Sequence, residues 1–153
     1  MADFSAIPWI AEHIQLYKTD PGKAHMWDSS QVGGSGLLPT LLLTTKGRKT
    51  GEPRAIPLVY GAAGDSYVVI ASKAGMPTHP LWYRNLEANP ECEIQVATLH
   101  TAARARDAEG EEREQLWKMM VGISEAYTAY QVSAGERRIP VVVLDPVATK
   151  SKS

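Results

Sequence analysis

The sequence predicts a mainly β domain with flanking helices, an α+β chain whose antiparallel sheet curls into a small barrel. Three observations carry that expectation. Short runs dense in Val, Ile, Leu and Thr recur from Leu37 onward, Gly, Pro and Asp break them apart, and few helical segments intervene. Sheets built this way hide their edges by closing. At 153 residues the chain fits one folded unit. We divide it as an N-terminal helix with its connecting segment over 1–36 and a barrel over 37–153.

Taken in order, "IPWIAEHIQLYK" (Ile7–Lys18) sets Ile10, Ile14 and Tyr17 near one helical face, with Trp9 and His13 beside them. "DPG" at Asp20–Gly22 is expected to stop that helix. Its apolar face serves either to cover the domain and its substrate or to lie on a membrane surface. The strands are "LLPTLLLTT", "RAIPLVY", "SYVVIAS", "CEIQVATL" and "IPVVVLDP", and "GAAGDS" makes a tight hairpin between the second and third. A helix of one to three turns, "THPLWYRNLEANP", enters through Pro80 and stops at Asn89-Pro90. A second helix is expected over roughly 111–130, because Leu116, Met120, Ile123, Tyr127 and Tyr130 recur at alternating intervals of four and three. "ATKSKS" reads as a frayed tail.

Composition narrows the function classes. A hydrophobic content of 44% with 22% charged residues suits a globular chain rather than a disordered one. Lys and Arg number 16 against 17 Asp and Glu, a balance that argues against nucleic-acid wrapping and leaves room for a local basic cluster acting on a small anion. The single Cys92 rules out an internal disulfide framework and fits a reducing cytoplasm. No apolar run is long enough to span a bilayer, and "MADFSAIPWI" lacks the basic-then-apolar pattern of a signal peptide. His13, His25, His79 and His100 are scattered without helical metal-site spacing, so no metal is expected. Met119 and Met120 read as packing, and Cys92, between Glu91 and Glu93, gives no sign of a nucleophile.

The chemistry concentrates in "TTKGRKTGEPR", Thr44–Arg54. It is neither a Walker A loop nor a dinucleotide fingerprint, since Gly47 and Gly51 bracket Arg48, Lys49 and Thr50, and "GGSG" at Gly33–Gly36 lacks both the spacing and a preceding strand. Joining two strands, the loop bends at its glycines and projects Arg48, Lys49 and Arg54. Arginine offers a fork matched to phosphate or carboxylate, and lysine a mobile point charge. The alternative is a solvated charged hairpin. A second cluster, "ASKAGMPTHP", again follows a strand and carries Ser72, Lys73, Gly75 and His79. Two such loops would clamp a polyanionic tail while a flat ring lies on the sheet against Trp82.

The strings "LLLTTKGRKTGEPRAIPLVY", "YVVIASKAG", "HPLWYRNLEANP", "YTAYQ" and "RRIPVVVLDP" together resemble the deazaflavin-dependent nitroreductase family, which uses reduced coenzyme F420. The likeness covers about 37–146. It implies a split β-barrel like that of FMN-binding proteins, with coenzyme F420 as the bound anion. By that resemblance Arg48, Lys49 and Arg54 meet the phosphate and tail, and Thr44 and Pro57 lie on the flanking strands. Ala71, Ser72, Lys73, Gly75, His79, Trp82 and Asn85 complete the cofactor set. Tyr127 and Tyr130 take two of the family's three tyrosine positions over the substrate side of the ring, with Ser72 as a third catalytic candidate. The first tyrosine position is Ser124, which supplies neither aromatic surface nor a phenol's reach. The implied activity is hydride transfer from reduced coenzyme F420 to a small-molecule acceptor, a quinone, an activated alkene (enone) or a nitro compound. A non-catalytic F420- or flavin-binding carrier is the rival. A cytoplasmic monomer or homodimer is expected, with peripheral membrane contact through the N-terminal helix as the variant.

Overall fold

A computed structural model describes residues 8–28, 37–72 and 78–147, with the side chains of 8–11 and 27–28 excepted. The N-terminal helix α1 (Pro8–Thr19) is followed by a short α2 (Pro21–Ala24) and β1 (Met26–Asp28). Then come β2 (Leu37–Lys46), β3 (Pro53–Ala63), β4 (Ser66–Ile70), α3 (Leu81–Ala88), β5 (Glu91–Val96) and β6 (Leu99–Asp107). Helices α4 (Gly110–Ile123) and α5 (Ala126–Ala134) precede β7 (Val141–Pro146). The predicted Gly33–Gly36 segment and the tail from 148 lie outside the described residues.

Strands β2 to β7 form the predicted closed barrel, a six-stranded antiparallel split β-barrel in the order β2-β3-β4-β7-β6-β5, closed by a β2–β5 seam. The seam is short, from Leu42↔Gln95 to Thr44↔Glu93. Alternation along each strand decides what fills the inside. Leu41 and Leu43 of β2, Val69 of β4, Ile94 of β5 and Val142 and Leu144 of β7 are buried in one cluster, joined by Trp82, Tyr83 and Leu86 of α3. Helix α3 therefore plugs the barrel.

The outer face of β4 and β7 carries a second layer. Val68, Ile70, Val141 and Val143 pack under Met120 of α4 and Tyr127 of α5. Strand β3 passes so close beneath α4 that a Cβ on Gly61 would lie 2.7 Å from Met119 Cε and 2.8 Å from Met120 Sδ. The two methionines are packing residues, as expected.

Several boundaries differ from the sequence reading, each for a local reason. Asp20-Pro21 ends α1 and also starts α2, with the Asp20 carboxylate accepting from the Lys23 amide at 3.3 Å. The strand expected over "CEIQVATL" ends at Val96, because Ala97, at φ +52°, turns the chain, and Leu99 already opens β6. Strand β6 escapes an apolar reading because small residues such as Ala103 face the interior while Arg104 and Arg106 face outward. The long helix predicted over 111–130 is broken: Ser124 closes α4 in an extended conformation, its amide donating to Met120 O, and α5 starts two residues on. The apolar stripe survives the break since both helices pack on the same face.

Of the predicted α1 face, Trp9 and Ile10 have side chains outside the described residues, while Ile14 and Tyr17 pack with Leu42 and Ala55 on the outer face of β2 and β3. The Tyr17 hydroxyl donates to Thr40 O, and the Thr40 hydroxyl donates to Ala24 O at 2.9 Å. His13 is buried with Nε2 2.8 Å from Ala24 O and its ring stacked on Tyr17. Burial pushes the imidazole below its ordinary value, against the hydrogen bond to Ala24. A histidine kept neutral by folding binds fewer protons in the folded than in the unfolded state, so its contribution is complete above the unfolded value, about 6.5, and is lost as pH falls. Thermal melts from about pH 7.5 down to about 5.5 are expected to show falling stability, and His13→Gln, which retains an amide donor near Ala24 O, to flatten that limb. An unchanged limb in His13→Gln would remove His13 from the account.

Candidate active site at one end of the barrel

Antiparallel order brings the end of β2, the start of β3, the end of β4, the start of β5, the end of β6 and the start of β7 to the same barrel end. The cationic loop of residues 46–54 joins β2 to β3 there. Its backbone closes on itself, Gly47 N–H to Glu52 O at 2.8 Å and Gly51 N–H to Gly47 O at 2.7 Å. Gly51 sits at φ +78°, which explains a glycine at that corner. Arg48, Lys49 and Arg54 are exposed.

Asn85 of α3 anchors this loop. Buried at 5% exposure, its amide Nδ2 donates to Thr45 Oγ1 at 3.0 Å, and its Oδ1 accepts from the Arg48 amide at 3.2 Å and from Arg48 Nη1 at 3.5 Å. A carboxamide supplies both a donor and an acceptor, and every bond it makes here is buried or half-buried. The cations thus stand on a loop fixed at its base.

The other predicted residues distribute as follows. Thr44 and Pro57, both half-buried, are on the outer face of β2 and β3, Pro57 opposite Leu42 and Thr44 opposite Ala55. Ala71 is fully buried just past β4, with its amide on Pro140 O at 3.0 Å, and Ser72 is half-buried beside it. Lys73 and Gly75 lie outside the described residues. His79 precedes α3, its ring 4.8 Å from that of Tyr83. The expectation of a ligand ring lying against Trp82 meets a buried side chain, 5% exposed and packed in the barrel core. The Tyr83 hydroxyl donates to Asp107 Oδ2 at 2.6 Å, fastening α3 to the end of β6.

The tyrosine pair divides. Tyr127 is 7% exposed, between Trp117 at 6.4 Å and Tyr130 at 6.2 Å, and burial raises its phenol well above the ordinary value. Tyr130 is half-buried on the same helix. Ser124 caps α4 rather than standing with them on α5.

Arg137, which the sequence pattern does not single out, joins the end of β4 to the entry of α3. Its Nη1 donates to Ala71 O at 3.0 Å and lies 3.0 Å from His79 Nδ1, and its Nη2 donates to Ser72 O at 2.6 Å. Burial, with Arg137 and Arg84 nearby, holds the His79 imidazole below its ordinary value.

A cavity of about 470 Å³ opens beside the loop, walled by Thr44, Lys46, Gly51, Glu91, Glu93 and Arg104. Its lining balances Glu91 and Glu93 against Lys46 and Arg104, with Glu91 3.8 Å from Arg104, so it offers an anion no excess positive charge, whereas the loop exposes Arg48, Lys49 and Arg54. Cys92 borders the same cavity but is buried, its thiol pushed up to about 12, mainly by desolvation, which disfavours the thiolate. Among the described residues no group of His, Cys, Asp and Glu could hold a metal, and no helix is long and apolar enough to cross a membrane.

Residues 22–146 match the family model described as F420H(2)-dependent quinone reductase. The F420H(2)-dependent quinone reductase of Mycobacterium tuberculosis strain H37Rv is 42% identical over 112 residues, 71% of this chain and 74% of that protein. A solved F420-H2 dependent reductase, FDR-A, is 40% identical with a TM-score of 0.65, covering 70% of this chain and 94% of its own. A further solved structure, described as a domain-swapped dimer, is 34% identical with a TM-score of 0.67, covering 90% of this chain and 98% of that one.

Proposed function

The chain belongs to the F420H(2)-dependent quinone reductase family, and from that premise we propose that the barrel end bearing the 46–54 loop is where the coenzyme is held for its reaction with a quinone. It is an oxidoreductase, and reduced coenzyme F420 is its hydride donor. The observation that carries the site is the buried Asn85 amide fixing the base of a loop that exposes Arg48, Lys49 and Arg54. These cations suit the phosphate and carboxylates of the coenzyme, and their exposure makes the attraction sensitive to salt. The coenzyme supplies the hydride. The protein supplies position and electrostatics, with Ala71 and Ser72 just past the end of β4 and His79 before α3 on the cofactor side, and Tyr130 on the acceptor side.

Within this reading the acceptors extend from quinones to enones and small nitro compounds. Bulky nitroimidazoles fit less well, since Ser124 offers no ring over them. Helix α1 spends Ile14 and Tyr17 on the barrel, which favours a pocket wall over a membrane surface. Assembly as a homodimer in the cytoplasm is part of the proposal, supported by the dimeric relative and compatible with a single buried cysteine.

Calorimetry with coenzyme F420 and with FMN, each at low and high salt, tests the site. We expect tighter binding of the longer, more anionic F420, weakening as salt rises. Tighter FMN binding would overturn the assignment, and salt-independent F420 binding would remove the exposed cations from it.

A further inference from the structure

Arg137 sits in the short connection between α5 and β7, and its guanidinium donates to two main-chain carbonyls. Two of its nitrogens take the carbonyls of Ala71 and Ser72, and Nη1 also faces His79 Nδ1. Residues 71–72 and 79 flank the 73–77 segment in sequence, so one side chain fastens both sides of it. The backbone of Arg137 is itself held: the Gln131 amide donates to Arg137 O at 2.9 Å and accepts from the Ile139 amide at 3.0 Å. Gln131 is the residue after Tyr130 on α5, so the connection runs from the helix carrying the acceptor-side tyrosine to the strand end on the cofactor side.

We propose that Arg137 is a positioning residue for coenzyme binding, one whose forked guanidinium fixes the Ala71-Ser72 strand end and orients the His79 ring in a single tautomer. The inference rests on the proposed location of the cofactor site. A guanidinium donor opposite Nδ1 requires that nitrogen to be an unprotonated acceptor, which places the neutral ring's proton on Nε2. Among the described residues, the charged and titratable groups around His79 are Arg137, Arg84, Glu87, Asp107 and Tyr83, and the two arginines oppose a proton on it while Glu87 and Asp107 favour one. Lysine cannot reproduce the arrangement, because a single ammonium does not span two carbonyls and a ring nitrogen in fork geometry.

The test compares wild type with Arg137→Lys and Arg137→Met. Binding of oxidised coenzyme F420 is followed by its fluorescence, kcat and KM for menadione are measured, and the His79 ring nitrogens are read by NMR. Both variants are expected to weaken F420 binding by about tenfold, the scale of one lost charged hydrogen bond. Wild-type spectra are expected to show neutral His79 with the proton on Nε2 at about pH 7, and the variants a mixture of tautomers. Retention of wild-type affinity by Arg137→Lys would reduce the role to charge and overturn the proposal. So would a wild-type His79 protonated on Nδ1. Should Arg137→Met fail to fold, Arg137→Lys and the wild-type spectrum still decide. If wild type itself did not bind F420, the failure would belong to the site assignment, and it would show before any variant is compared.

Discussion

Reversing charge at two positions of the loop, Arg48→Glu with Lys49→Glu, is expected to raise the Kd for coenzyme F420 by about a hundredfold while the melting temperature stays near that of wild type. The size follows from two charge-assisted contacts at about 1.5 kcal/mol each, the low end of the range because these side chains are exposed and screened. Folding is spared for a specific reason. The principal tie from this loop to α3 is the Arg48 main-chain amide on Asn85 Oδ1, at 3.2 Å, which the substitution keeps, whereas the side-chain contact it removes is the longer one at 3.5 Å. The variant's affinity should also depend less on salt. Equal Kd values for variant and wild type would take the anion-binding role away from this loop.

The second large effect is expected on catalysis. Tyr130→Phe removes one hydroxyl and keeps nearly all the apolar volume on the α5 stripe, so stability should change little. If that hydroxyl donates to the acceptor in the transition state, its loss costs about 1–3 kcal/mol, one to two decades in kcat/KM. Tyr127→Phe is the control on the same helical face: its ring is buried between Trp117 and Tyr130, so its substitution should register in the melt more than in turnover. Steady-state kinetics at saturating reduced F420, with quinone and enone acceptors, separates the two. An unchanged kcat/KM in Tyr130→Phe would remove the catalytic hydroxyl, and a large melting shift without a kinetic defect would leave Tyr130 a packing residue.

What the sequence disclosed of this fold depended on how strongly each element's own residues marked it. Strands β2, β4 and β7 are apolar on both faces, because the barrel interior takes one side and helices α1, α4 and α5 take much of the other, so they stand out as continuous Val, Ile and Leu runs. Strand β6 does not, since it fills a crowded interior with alanines and presents arginines outward. The break at Ser124 is invisible to periodicity because the turn leaves Tyr127 on the face that Met120 occupies. Within the proposed site, the glycines and cations of the loop stand out by local pattern and chemistry. Arg137 does not, because the carbonyls it binds lie about 65 residues earlier and it also faces a histidine ring, and such contacts leave no local spacing to read. Trp82 is a different case: an aromatic beside cationic loops reads as a ligand surface, and in the fold its ring is packed with the rest of α3 in the barrel core.

The most direct measurement is anaerobic turnover of reduced coenzyme F420 with menadione, following return of the oxidised deazaflavin absorbance beside quinone consumption. Enzyme-dependent, one-to-one oxidation of coenzyme and reduction of quinone is expected, faster than with reduced FMN at equal concentration. Tight binding of F420 with no oxidation across quinone, enone and nitro acceptors, or faster turnover with reduced FMN, would contradict it.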